Sequence, residues 1–463
     1  MSKRKRIKEL SALPKLEALK QINFHAAGID IGSAEIWVCV PEDRDPQPVR
    51  RFETFTADLQ AAVKWLKHCD VDTVAMESTS IYWIPIHQML EAHDIEVYLV
   101  NAQEAKNVPG RKTDILDCQW LQQLHTYGLL RASFIPAPEL RKLRDLSDHR
   151  DNLIRHRATQ IQYMQKALHL MNLQLDNVIT DITGKTGMAI IRDIVRGQRD
   201  PKQLAQHRDP KCKNPPTVIE KSLEGNYDDE HLFQLQQSLE LYDVFSQKIV
   251  ASEKQIEQRY QRFQTKPADH ELLPSRKKDS RTKNKMCFDL RTELFRICGV
   301  DLTAIDGVNT SVAHTVVAHI GLDMSNWKTE KHFTSWLRLC PKNEKSAGKV
   351  LRRSTGKTHN PATLALKQAA QSLHRSQSYL GAYFRKMKAQ HGPAKATTAA
   401  AHKIARLLYK MLKEQTEFVD LGDDYYIQKH KERALKNLST RANALGFYLI
   451  TPEDYQRLIK SVS

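Results

Sequence analysis

Four acidic side chains of this sequence stand where a carboxylate is costly to keep ionised. Asp30 lies in Gly28-Ile29-Asp30-Ile31-Gly32-Ser33, and Glu77 follows Val74-Ala75-Met76. Asp114 and Asp117 are three apart in Lys112-Thr113-Asp114-Ile115-Leu116-Asp117. An ionised carboxylate among apolar neighbours needs a compensating partner. At a helix start, a spacing of three puts both acids on one face, roughly 5–6 Å apart. Singly, each acid has a plain structural use, as a turn cap, a salt-bridge partner or a complement to the helix dipole. Gathered together they would repel unless cations screened them. Hard divalent ions with oxygen ligands do so, and two of them about 4 Å apart would clamp a phosphodiester. The expected cofactor is therefore Mg²⁺, for which Mn²⁺ can substitute.

The gathering depends on the elements that carry the acids. Residues 24–31 and 35–40 read as strands joined by a tight Gly-Ser turn, and 49–55 as a third strand. Residues 57–68 have helical periodicity, with Leu59, Ala62, Val63 and Leu66 on one face. A strand (73–76), a helix (82–92), a strand (96–100) and a helix from about residue 113 complete the order βββαβαβα. That order is the RNase H-like topology, a mixed sheet with helices on its faces. Its first and fourth strands are neighbours, which would bring Asp30 to Glu77.

The partner class is indicated by charge. Lys and Arg total 71 against 54 acidic residues, a net charge of +17. An excess of this kind suits a polyanion, because each neutralised phosphate releases condensed counterions. Composition alone does not separate DNA from RNA. Seven cysteines without a C-x-x-C pair fit reduced thiols rather than disulfides or a zinc site. No apolar stretch is long enough to span a membrane, and none follows the basic start, so a cytoplasmic, nucleoid-associated protein is expected.

The remainder reads as α-helical. A basic arm (1–22, with Lys3, Arg4, Lys5, Arg6 and Lys8) precedes the α/β domain (23–135). Residues 136–290 follow as a helical or coiled-coil hairpin. One seam runs through Ile161, Met164, Leu168, Met171, Leu175 and Val178. A second runs through Leu235, Leu239, Tyr242, Ile249, Ile256, Tyr260 and Phe263, broken by Ser246 and Glu253. Between them, 200–229 reads as an irregular, Pro-containing insertion, and 274–285 as a basic linker. The hairpin suits either a dimerisation arm or a bundle within one subunit. A mostly helical domain (291–414) contains Ile305-Asp306-Gly307-Val308-Asn309 before an apolar helix. That spacing fits a helix-hairpin-helix gripping phosphate or a plain helical hairpin. A basic loop with Ser346, and a helical tail (415–463), complete the chain.

At this point the chain resembles the DEDD, RuvC-like transposases of bacterial insertion sequences, a family that includes the Piv-type DNA invertases. The N-terminal motifs are Gly28-Ile29-Asp30-Ile31, Met76-Glu77-Ser78-Thr79, Val100-Asn101 and Lys112 to Asp117. The C-terminal ones are Phe333-Thr334-Ser335-Trp336-Leu337-Arg338-Leu339-Cys340-Pro341, Lys345-Ser346-Ala347-Gly348-Lys349 and Gly356-Lys357-Thr358-His359-Asn360. The resemblance implies that Asp30, Glu77, Asp114 and Asp117 form the metal-binding tetrad. It implies that Ser346 attacks DNA to form a 5′-phosphoserine link, in a sequence reading Ser-Ala-Gly where the family has Ser-Gly. It further implies donor and target DNA as substrates, a structured guide (bridge) RNA and a homo-oligomer, dimer or tetramer. Arg111, Lys112, Lys345, Lys349, Arg352, Arg353 and Lys357 are the expected nucleic-acid contacts.

Three other readings compete. A RuvC-like junction endonuclease would use the same acids with water as nucleophile. An actin-like ATPase shares the look of residues 28–33 but needs a second phosphate loop, which the sequence lacks. A non-catalytic RNA-binding scaffold would use the acids structurally.

Overall fold

The computed structural model describes residues 19–78, 80–101, 113–266, 273, 284–347, 349–355, 358 and 360–462. Residues 342–345, 350, 352–354, 458 and 460–462 are placed by backbone alone. Residues 1–18 of the basic arm, Arg111, Lys112, Lys357 and residues 274–283 of the basic linker lie outside the described residues. The chain folds as two units, Met1–Ile135 and Pro136–Ser463.

In the first unit the elements run β1 (Ala26–Ile31), β2 (Glu35–Cys39), β3 (Val49–Glu53), α1 (Thr56–His68), β4 (Thr73–Glu77), α2 (Trp83–Glu91), β5 (Glu96–Val100) and α3 (Asp114–Thr126). The sheet order is β3-β2-β1-β4-β5. β1 pairs antiparallel with β2 and parallel with β4, and β5 is parallel to β4. It is a mixed five-stranded sheet, as the element order implies.

Both faces of this sheet are covered. Ala27, Ile29 and Ile31 of β1 and Val74 and Met76 of β4 share a core with Leu59, Val63 and Leu66 of α1 and Ile86 and Leu90 of α2. Ala75 and Val100 pack instead with Leu121 and Leu124 of α3, and Cys39 and Val49 with Ile115 and Cys118. Successive strand residues point to opposite faces. The odd positions of β1 and even positions of β4 therefore face α1 and α2, leaving Asp30 and Glu77 on the face that carries α3.

The second unit is built on two long helices, α4 (Pro138–Leu170) and α9 (Asp229–Tyr260). They pair antiparallel: Glu139 bonds Arg259, Arg150 bonds Glu253, and Arg157 bonds Ser246. The two polar breaks in the α9 seam thus answer polar residues across it. Arg150 donates from Nε (2.8 Å) and Nη2 (2.6 Å) to Glu253, whose other oxygen accepts from the Cys287 amide at 2.9 Å. Both side chains of this pair are buried, so removing either partner would strand a charge.

Two expectations for this region are corrected. The seam through Val178 does not follow one helix: α4 ends at Leu170, and Leu175 and Val178 lie on the short α5 (Leu175–Val178). Residues 200–229 are irregular only in part. After α6 (Lys185–Val195) come α7 (Pro201–Ala205) and α8 (Pro216–Ser222), which bury Leu204, Ala205 and Ile219. Pro201 and Pro216 each open a helix, where the missing N–H has no intrahelical acceptor anyway. Together with Met164, Leu168, Leu235 and Leu239 these helices form one core at that end of the hairpin.

The C-terminal part continues with α10 (Leu290–Cys298), α11 (Thr310–Ile320), α12 (Glu330–Trp336), β6 (Lys342–Ser346), β7 (Lys349–Ser354), α13 (Pro361–Ser372), α14 (Tyr379–His391), α15 (Pro393–Glu414), α16 (Gly422–Ala444) and α17 (Pro452–Val462). The turn at 305–309 packs inward. A Cβ on Gly307 (φ +87°) would meet the Ala369 carbonyl at 2.5 Å, and the Val308 amide is spent on Ile305. Among the described residues, no helix is long and apolar enough to cross a membrane.

A buried imidazole ties α4 and α9 to α11. Ser147 Oγ donates to the Leu143 carbonyl (2.7 Å), so it accepts from His314 Nε2 at 2.7 Å, and His314 Nδ1 accepts from Tyr260 Oη at 2.7 Å. Burial, with Arg150 and His319 adding to it, pushes His314 down to about 3. In the first unit, burial takes His125, bonded to Thr73 Oγ1 at 2.8 Å, down to about 4. Both rings fold neutral, whereas an unfolded histidine titrates near 6.5. Below that pH the unfolded chain binds protons the native chain refuses. Stability is therefore full above pH 7 and falls by up to about 1.4 kcal/mol per pH unit per histidine toward pH 4. Urea unfolding as a function of pH should show this fall, and His314→Gln should flatten it by about one proton.

Candidate active site

Asp114 and Asp117 come within electrostatic range of Asp30 because α3 lies directly on β1. A Cβ built at Gly28 would stand 2.2 Å from the Cys118 carbonyl and 2.4 Å from the Gln122 amide. Only glycine permits that approach, and it sets the first turn of α3 beside the C-terminal ends of β1 and β4. Thr113 caps this turn, its hydroxyl accepting from the Leu116 amide at 3.3 Å. Asp114 and Asp117 both lie in the capped turn. Ile29 pairs with Met76, so Asp30 and Glu77 are the next residues of neighbouring parallel strands.

Asp30 registers the convergence. It is half-buried, and its carboxyl is pushed up to about 6, first by burial and then by Asp117, Asp114 and Glu77 in that order. The Ile31 amide, 3.1 Å from Oδ1, partly offsets this. The three other expected acids thus all bear electrostatically on Asp30. Among the described residues, no group of three or more His, Cys, Asp and Glu side chains is placed to hold a metal ion. The carboxylates share a field without forming a closed ligand shell among the described residues. The donor set itself, four hard oxygens, suits Mg²⁺ or Mn²⁺.

The weight resting on Gly28 is testable. Gly28→Val should force α3 off the sheet, costing about 1–3 kcal/mol as core overpacking does and spoiling the alignment of Asp114 and Asp117. Thermal unfolding and a strand-cleavage assay, run together, should show a folded protein without activity.

Ser346 lies in the second unit, and its setting differs from the expected basic loop. It is the last residue of β6, in an antiparallel hairpin where it sits opposite Lys349. Ser346, Ala347 and Lys349 are exposed. Ala347 turns the chain with φ +46°, a left-handed conformation that costs a non-glycine residue about 1–2 kcal/mol. Register slips at Glu344/Lys345, so the strand kinks just before the serine. Arg352 is opposite Glu344 and Arg353 opposite Asn343 along the same ribbon, while Lys345 is opposite Val350.

Sequence reasoning missed two features. The glycine that admits α3 could have been found, since a glycine inside a strand signals close backbone approach. The other is a row of cations on α15, Lys403, Arg406, Lys410 and Lys413, whose 3-4-3 spacing puts them on one face.

Two family models match the chain. One, of the DEDD IS110 type and described as Transposase, covers residues 27–172. The other, described as Transposase IS116/IS110/IS902 family, covers residues 301–385. The chain belongs to the IS110-type transposases. It is therefore a DNA transposase, an enzyme whose substrate is DNA. The first match contains all four acids, and the second contains Ser346 and its hairpin. No curated protein matches the chain.

Proposed function

We propose that this transposase cuts and rejoins DNA through a serine nucleophile working with a metal-bearing acidic tetrad on an RNase H-like sheet. Asp30, Glu77, Asp114 and Asp117 would hold Mg²⁺, with Mn²⁺ as a substitute. When bound, the metal polarises the scissile phosphate and offsets charge developing on its oxygens. Ser346 Oγ attacks the phosphorus, forming an Oγ–P bond as the P–O3′ bond breaks. The serine proton passes to solvent and the departing 3′ oxygen is protonated. The 5′-phosphoserine keeps the phosphodiester's energy, so a different 3′-hydroxyl can reverse the step and reseal without ATP. Lys349, beside Ser346 on the hairpin, would hold the phosphate electrostatically, with Lys345, Arg352, Arg353 and Lys357 along the backbone. Arg111 and Lys112 would do the same next to the tetrad.

The supporting observation is the convergence of the three other acids on the half-buried carboxyl of Asp30. An acidic cluster of that kind, inside the DEDD match, has more use at a phosphodiester than in a fold it strains. The proposal also takes from the family resemblance a structured guide RNA that pairs with donor and target DNA, a homo-oligomer, dimer or tetramer, as the working form, and a nucleoid location. The test is a donor substrate nicked so that the departing strand is lost, incubated with Mg²⁺ and the element's own RNA. A covalent protein–DNA adduct should accumulate, and peptide mapping should put the 5′ phosphate on Ser346. Free 5′-phosphate ends without an adduct would point instead to water as the nucleophile.

A further inference from the structure

Between α12, α14 and α15 the second unit forms an open cavity of about 710 Å³, bordered also by residues 418–421. Into it face Lys403, Arg406, Lys410 and Lys413, the successive cations of one stripe of α15. A turn of helix separates each from the next, about 5 Å along the axis. Their neutralisation is incomplete. Arg406 pairs with Glu330, and Lys410 stands 3.7 Å from Glu414. Lys413 Nζ meets the Tyr409 hydroxyl at 2.9 Å and the Lys328 carbonyl at 3.5 Å.

Lys403 is the most telling. Its ammonium is half-buried and has no carboxylate within ion-pair distance among the described residues. It rests over the Tyr383 ring at 3.9 Å and the Tyr379 ring at 4.7 Å. Burial, with Arg406 and Arg433 nearby, lowers it to about 8. The third acid of the cavity, Asp420, is spent on the Tyr379 amide at 3.1 Å. Tyr379 and Phe418 give the lining an aromatic component. A row of cations along a concave wall with aromatic surface beside it is the pattern that tracks an unpaired polynucleotide.

We infer that this cavity binds a short run of unpaired nucleotides, phosphates along the Lys403–Lys413 stripe and a base against Tyr379 and Phe418. The inference rests on the nucleic-acid reading above but needs neither the tetrad nor Ser346. The shared chemistry, a nucleoside phosphate, is found in an unpaired DNA strand and in a loop of RNA.

The test uses the full chain and fluorescent dT12, rU12 and a 12-base-pair duplex, titrated across a range of salt. Lys410→Glu/Lys413→Glu should weaken at least one single strand tenfold or more and leave the duplex within threefold. At about 0.7 per phosphate contact on single strands, its salt slope should fall by about 1.4. Lys388→Glu/Lys395→Glu, the same charge change away from the cavity, should do neither. The strand that is weakened, dT12 or rU12, identifies the source. Equal effects of the two variants, or none, overturn the cavity as a binding site while the proposed function stands. A wild-type chain that binds none of the three probes at low salt removes both.

Discussion

A Ser346→Ala protein is expected to form no covalent adduct with donor DNA and to lose strand transfer by at least about 10³-fold. Removing a nucleophile leaves only positioning and charge stabilisation, and known nucleophile deletions fall in this range or beyond. The fold should be indifferent to the change, because Ser346 is exposed at a hairpin tip. DNA binding should persist for the same reason. Ser346→Cys keeps a nucleophile of similar size and should retain a slow, trappable adduct. Gel-resolved adduct formation and strand transfer on one substrate measure both. A serine variant that cleaves at the wild-type rate would leave the acids as a water-using nuclease.

Asp30→Asn is expected to fail in the opposite manner, inactive yet more stable. Activity should fall by about 10³-fold or more, the scale of losing an electrostatic group that acts on the transition state. Stability should rise because the native fold crowds this carboxyl. A carboxyl moved from 3.8 to about 6 carries close to 3 kcal/mol of unfavourable interaction at neutral pH. Solvent screening at this half-exposed site leaves about 1–2 kcal/mol. The Asn oxygen can still accept from the Ile31 amide. Thermal unfolding in EDTA should show the gain, and the cleavage assay the loss. A destabilised, inactive variant would mean that Asp30 serves packing, and the acidic cluster would lose its functional reading.

Much of this site was legible in the residues because strands have a fixed period. Apolar flanks marked 24–31 and 73–76 as buried strands, and the alternation within them decides which face Asp30 and Glu77 occupy. The N-terminal helix signal at Thr113 and the i, i+3 acids needed only local chemistry. Tertiary packing hid the rest. Nothing in the periodicity of residues 342–354 announces a hairpin, since the segment has few apolar residues and so no alternation to read. Pro201 and Pro216 misled because a proline that ends one element and a proline that starts another look alike in sequence. The cation stripe of α15 is visible at helical spacing, but only the fold shows that it lines a concave surface.

The central claim, that Asp30, Glu77, Asp114 and Asp117 together hold a divalent cation, is tested most directly by calorimetric titration of the full chain with Mn²⁺. The wild-type protein should bind one or two ions, and Asp30→Asn, Glu77→Gln and Asp114→Asn/Asp117→Asn should each weaken the tightest site tenfold or more. Ser346→Ala should bind as the wild type does. Isotherms of the three acid variants indistinguishable from the wild-type one would contradict the account.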